Sequence, residues 1–92
     1  MDRAEARGIL LAQLEPWRRR SYAELSGRIG ESSRFETTGQ SGTLYQGDVQ
    51  VFWDDKPNGA VRVMAAIDDG GLRAFVPLTE DFILGSDGTF IE

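Results

Sequence analysis

The chain has 92 residues and a mass of 10.2 kDa, which is the size of one compact domain and too small for two. Hydrophobic residues make up 40% of it and charged residues 27%, a composition typical of a folded globular domain rather than a disordered or fibrous one. Cysteine and histidine are both absent, which excludes disulfides, thiol nucleophiles, Ser-His-Asp triads and cysteine–histidine zinc sites.

Charge is unevenly distributed. Residues 1–34 carry seven arginines and five acids, whereas residues 35–92 carry three bases and ten acids, and the net charge is −5. A duplex-binding protein neutralises several phosphates with clustered bases, and the acidic half would repel a polyanion. We therefore expect no nucleic-acid partner.

Residues 2–29 are predicted to be helical in two segments. At 100° per residue, residues 2–17 place one apolar stripe on one side of a helix: Ala6, Ile9, Leu10, Leu14 and Trp17. Pro16 removes a backbone donor, which predicts a break or kink there. Ser21 and Glu24 match the S-x-x-E capping box and predict a second helix, which buries Leu25 and Ile29.

Residues 34–76 are predicted to form an antiparallel sheet. Apolar residues occupy odd positions from Tyr45 to Trp53 and from Val61 to Ile67, and turn-forming residues 54–59 lie between the two runs. Trp53 then pairs with Val61 and Val51 with Val63. An Asp-Gly turn at residues 69–70 would place Ile67 opposite Leu72 and Ala65 opposite Ala74.

The flanking segments are less regular. Residues 35–38 are predicted to be a further edge strand. Residues 77–92 are predicted to be a short turn capped by Thr79 and an extended tail, with a short strand at 79–84 as the alternative. The fold class is therefore α+β, with two N-terminal helical segments on one face of a three- to five-stranded antiparallel meander.

The same alternation predicts a second set of side chains on the opposite, outer face of the sheet. Phe52, Met64 and Phe75 would form an apolar group there, with Arg62 and Arg73 at its rim. An exposed apolar patch usually marks a partner, and a homodimer is the simplest partner because a twofold axis buries the patch on itself. The alternative is that residues 78–92 fold over this face and cover it.

Two further groups of charged residues are candidates. Asp48, Asp68 and Asp69 could meet at one end of the sheet and support magnesium binding or acid–base chemistry, although turn geometry also explains these aspartates. Arg18, Arg19 and Arg20 follow Trp17 and could contact an anion, although a solvated helix end is the simpler explanation.

The sequence therefore predicts a non-catalytic interaction or regulatory module that binds a protein partner or itself. A carboxylate-dependent metal-binding protein or hydrolase is the alternative. We expect no cofactor and no resident metal. The short apolar run Ile9–Leu11 is far below the roughly 18 residues of a membrane span, and with no secretory signal we expect a cytoplasmic protein without a membrane partner.

Overall fold

The computed structural model describes residues 2–71 and 77–91. In chain order the elements are α1 (Arg3–Arg18), α2 (Tyr22–Ser26), β1 (Ser32–Thr38), β2 (Leu44–Trp53), β3 (Val61–Asp68), β4 (Leu78–Leu84) and β5 (Phe90–Ile91). The strands form one sheet in the order β1-β2-β3-β4-β5, and every neighbouring pair is antiparallel. Helices against an antiparallel meander confirm the predicted α+β fold.

Side-chain caps begin both helices. The carboxylate of Asp2 accepts a hydrogen bond from Glu5 N at 3.0 Å, and the Ser21 hydroxyl accepts one from Glu24 N at 3.2 Å. The predicted start of the second helix at Ser21 is confirmed. The predicted break at Pro16 is wrong, because α1 continues to Arg18. Pro16 lies in the last turn, where it removes one backbone donor and leaves the earlier turns intact.

The alternation of side chains in β2 and β3 is the one that the sequence predicts. Trp53 pairs with Val61 and Val51 with Val63, and the odd positions of both strands face the helices. The core comes from α1, α2 and the inner face of the sheet: Ala6, Leu10, Leu14, Leu25, Tyr45, Val49, Val51, Val61, Val63, Ala65, Ile67, Phe82 and Leu84. Helix α1 packs chiefly across β3 and β4, and its N-terminal half also reaches Thr38 and the turn after β1.

The predicted hairpin around the Asp-Gly turn at residues 69–70 is wrong. Ile67 pairs with Leu78 and Ala65 with Glu80 in β4, where the sequence predicted Leu72 and Ala74 as partners. Those two residues lie outside the described residues. The preferred turn at 79–84 is also wrong, since β4 runs from Leu78 to Leu84.

The hairpin prediction failed because a local turn signal and the choice of a pairing strand depend on different parts of the sequence. The side chains of Asp68 and Asp69 accept hydrogen bonds from the backbone of Gly70 and Gly71, as their turn-forming character predicts. Such a local signal does not select the strand that pairs with β3. That choice depends on the apolar positions of β4, which bury Phe82 and Leu84 against the core.

A close approach on the inner face involves Gly47. A Cβ atom at this position would lie 2.1 Å from the carbonyl oxygen of Ala66 and 2.6 Å from Cζ of Phe35. Glycine therefore lets the Phe35 ring lie across β2 next to the core.

In the described part of the chain, neither helix has the length and apolar character of a membrane span. The cytoplasmic location stays a prediction.

Candidate functional site

The outer face of the sheet is opposite the one that both helices cover. The even positions of β2 and β3 point to it, and pairing continues their rows into β4 and β5. One row contains Phe52, Arg62, Ile83 and Ile91, and Met64 lies in the next row between Gln50 and Asp81. None of the other described elements packs on this face.

Four apolar side chains of these rows form what we call the outer patch: Phe52, Met64, Ile83 and Ile91. Ile91 is 47% exposed, and the other three are half-buried. Shallow cavities lie on two sides of the patch. One of about 450 Å³ is lined by Phe52 and Met64, and one of about 460 Å³ is lined by Ile83 and Ile91. The patch is thus accessible within the described structure.

Arg62 lies within the patch row rather than at a rim. Its Nε donates to Asp54 Oδ1 at 2.9 Å, its Nη2 lies 2.7 Å from the same oxygen, and its Nη1 donates to Asp81. The pKa of Arg62 is raised above its ordinary value, chiefly by the hydrogen bond to Asp54. Its guanidinium is therefore held between two carboxylates, and Arg62 lies between Phe52 and Ile83 in the row.

The structure brings together part of the predicted surface. Phe52, Met64 and Arg62 share the outer face, whereas Phe75 and Arg73 lie outside the described residues. The prediction missed Ile83 and Ile91, because it assigned residues 77–92 to a turn and a tail. The period-two spacing of Leu78, Phe82 and Leu84 was the signal that could have identified β4 and, with it, the outward position of Ile83.

The three candidate aspartates are occupied by hydrogen bonds. Asp48 Oδ2 accepts from Gln50 Nε2 at 2.9 Å, and Asp68 Oδ1 accepts from Gly70 N at 2.8 Å and from a glutamine of β2 at 3.1 Å. Asp69 Oδ1 accepts from the backbone at 3.2 Å, and this bond is the main cause of its lowered pKa. Asp48 and Asp68 line one shallow depression of about 330 Å³, and Asp69 does not line it.

Two carboxylates of β4, Glu80 and Asp81, are engaged by arginines and do not join these aspartates. Glu80 pairs with Arg7 at 2.8 Å on the helix side of β4, and Asp81 pairs with Arg62. Among residues 2–71 and 77–91, no three carboxylates are placed to hold a metal ion.

The three arginines at the end of α1 diverge. The guanidinium carbon of Arg18 lies 4.9 Å from the centre of the Phe82 ring, and that of Arg20 lies 4.3 Å from the centre of the Trp17 ring. Both are cation–π contacts. Arg19 instead pairs with Glu15 at 3.4 Å in solvent. The side chains therefore do not converge on a common anion position.

A polar cluster that the sequence did not indicate joins α1 to the turn between β1 and β2. The Glu5 carboxylate accepts hydrogen bonds from the Ser41 hydroxyl at 2.7 Å, the Ser41 backbone at 3.0 Å and the Tyr45 hydroxyl at 2.9 Å. The hydrogen bonds from Ser41 are the main cause of the lowered pKa of Glu5. These hydrogen bonds fasten the N-terminal part of α1 to the turn between β1 and β2.

Comparison of the chain with protein-family models, with curated proteins and with solved structures finds no match in any of the three.

Proposed function

We propose that this protein is a non-catalytic interaction module that binds another protein through the outer face of its sheet. The observation that carries the proposal is the outer patch, whose four apolar side chains lie on the face opposite both helices. Burial of such a patch against a partner releases apolar surface from water, which is the main driving force of protein association.

The charges around the patch favour a basic partner. Among the described residues of the outer face and the turn that adjoins it there are five carboxylates and two guanidiniums: Glu36, Asp48, Asp54, Asp68, Asp81, Arg34 and Arg62. A partner segment with an apolar anchor and flanking lysines or arginines would complement this surface. A homodimer through the same face, the version suggested by the sequence, is less favourable because it would bring two acidic surfaces together.

Selection of peptides on the immobilised protein tests the proposal. Peptides from a random phage-displayed library should share one or two apolar residues flanked by bases, and their binding should weaken as salt is added. Met64→Ser and Ile83→Ser should each weaken binding of the selected peptides by about tenfold or more, because each removes part of a small apolar contact.

Leu44→Ser is the matched control. Leu44 lies on the same outer face, at the far end of β2, and is 59% exposed. Its substitution removes a similar apolar side chain and should leave peptide binding unchanged. The proposal is refuted if the selected peptides lack basic residues, or if Met64→Ser and Ile83→Ser bind them as well as the wild-type protein does.

The carboxylate-dependent alternative has less support, because hydrogen bonds within the sheet and its turns engage Asp48, Asp68 and Asp69. Thermal unfolding with and without Mg²⁺ separates the two functions. A rise in the unfolding temperature that disappears in Asp68→Asn would favour the metal-binding alternative, and our proposal expects no such rise.

A further inference from the structure

Within residues 2–71 and 77–91, the outer edge of β1 has no strand paired with it. β1 is seven residues long, lies at one end of the strand order, and pairs on one side only with β2 among the described strands. Five of its residues are exposed, it contains no proline, and its two charged side chains, Arg34 and Glu36, lie on the outer face rather than pointing inward. A further strand can therefore pair with it.

The hydrogen-bond pattern shows which residues of β1 present backbone groups to this open edge. Glu31 O accepts from Val51 N at 3.2 Å, and Gly39 N donates to Thr43 O at 2.9 Å, so odd-numbered residues on this segment bond towards β2. Because the direction alternates along an antiparallel strand, the N–H and C=O groups of the even residues point away from the sheet. These residues are Ser32, Arg34, Glu36 and Thr38.

A second copy of the chain that adds antiparallel to this edge must match even residues with even residues. Near the middle of β1, the twofold axis can then pass through residue 34, 35 or 36. An axis at residue 34 places Arg34 opposite Arg34 of the second copy. An axis at residue 36 places Glu36 opposite Glu36 of the second copy. Like charges directly opposite are destabilising. Only the axis at Phe35 places Arg34 opposite Glu36 of the second copy and Glu36 opposite Arg34.

We propose that two copies of this chain pair through β1 in this register and form one continuous ten-stranded sheet. The outward backbone groups of the four even residues then bond to the same groups of the second copy. On the inner face, Phe35 lies directly opposite Phe35 of the second copy at the axis. The two residues form a non-hydrogen-bonded pair, the kind of antiparallel pair in which opposite side chains come closest. This inference concerns an edge and is independent of the proposed function of the outer face.

The inner face has room for this contact. Helix α1 packs chiefly across β3 and β4, and its N-terminal half reaches the β1 side only at Thr38 and the turn that follows it. Phe35 is half-buried above Gly47, and Ser33 and Thr37 are its neighbours on the same face. The helices of the two copies would therefore lie on the same side of the joined sheet without meeting at the axis.

Charge reversal tests the register. Light scattering after size-exclusion chromatography should give twice the chain mass of 10.2 kDa for the wild-type protein at high concentration. Arg34→Glu and Glu36→Arg should each weaken the dimer by about ten- to a hundredfold, because each replaces two attractive pairs with two repulsive ones. An equimolar mixture of the two variants should form a heterodimer, because both cross-strand pairs are again of opposite charge.

Arg19→Glu is the control, since it makes the same charge change at an exposed position directly after α1 and should leave the dimer intact. Far-UV circular dichroism verifies that each variant is folded. The proposal is overturned by a wild-type protein that stays monomeric into the millimolar range, or by a mixture that stays monomeric. A dimer lost in Met64→Ser but kept in Arg34→Glu would also overturn it and would place the contact on the outer face.

Discussion

Adjacent residues of β3 offer a direct test of the alternation on which the outer patch depends. Val63 is 0% exposed and lies between Val51 and Phe82, whereas Met64 is half-buried on the outer face. Val63→Ala removes two buried carbons, about 1.6 kcal/mol at about 0.8 kcal/mol each. The cavity left behind raises the loss to about 2–3 kcal/mol. Met64→Ala should cost under about 1 kcal/mol, although it removes more atoms.

Urea unfolding, monitored by tryptophan fluorescence, measures the loss of unfolding free energy in Val63→Ala and in Met64→Ala. A chain of this length is typically stable by about 5–14 kcal/mol, so Val63→Ala should remain folded, with an unfolding temperature about 10–20 °C below that of the wild type. If Met64→Ala is destabilised as much as Val63→Ala, then the outer face is covered. The outer patch would then not be available to a partner.

Three further predictions concern contacts that position the helices and the sheet. The pKa of Glu5 is lowered from its ordinary value of 4.5, so its hydrogen bonds stabilise the fold above that pH and are lost as the pH falls through the folded-state pKa. In acid titrations followed by circular dichroism, Glu5→Gln should therefore differ most from the wild type above pH 4.5 and converge with it below, and a constant difference would refute the assignment. Gly47→Ala places Cβ 2.1 Å from the carbonyl oxygen of Ala66 and should cost about 1–3 kcal/mol in urea unfolding. Gly8→Ala in α1, where nothing lies within 4 Å of the added atom, should instead stabilise by about 0.5–1 kcal/mol, and equal effects would contradict the close approach. Tyr22→Phe removes a 2.7 Å hydrogen bond to a backbone carbonyl in the turn between β2 and β3, and should cost about 1 kcal/mol by the same measurement.

The candidate surface could be predicted only as far as the sequence identified its strands. Alternation in residues 45–67 was enough to place Phe52, Arg62 and Met64 on one face, because a side-chain period of two leaves no other choice once the valines are buried. Ile83 and Ile91 were missed, since their position depends on pairing with a strand that begins after Pro77.

The electrostatic partners of Arg62 were beyond the reach of the sequence. Asp54 is eight residues away and reaches the guanidinium because β2 pairs with β3, whereas Asp81 is nineteen residues away and reaches it because β4 lies beside β3. The contact from Glu5 to Ser41 and Tyr45 has the same origin, with sequence separations of 36 and 40.

Local patterns in the sequence by themselves determined the start of the second helix at Ser21, the pairing of Val51 with Val63, and the division of β2 and β3 into a buried and an outward set. Caps, turns and alternation involve residues close in the chain, so short stretches of sequence are enough to predict them. Tertiary structure alone decided that β4 is the neighbour of β3, that Arg62 lies between two carboxylates, and that β1 is at one end of the described sheet. Those outcomes depend on which apolar surfaces pack against one another in the core. The alternative packings involve residues far apart in the chain, so a short stretch of sequence cannot select among them.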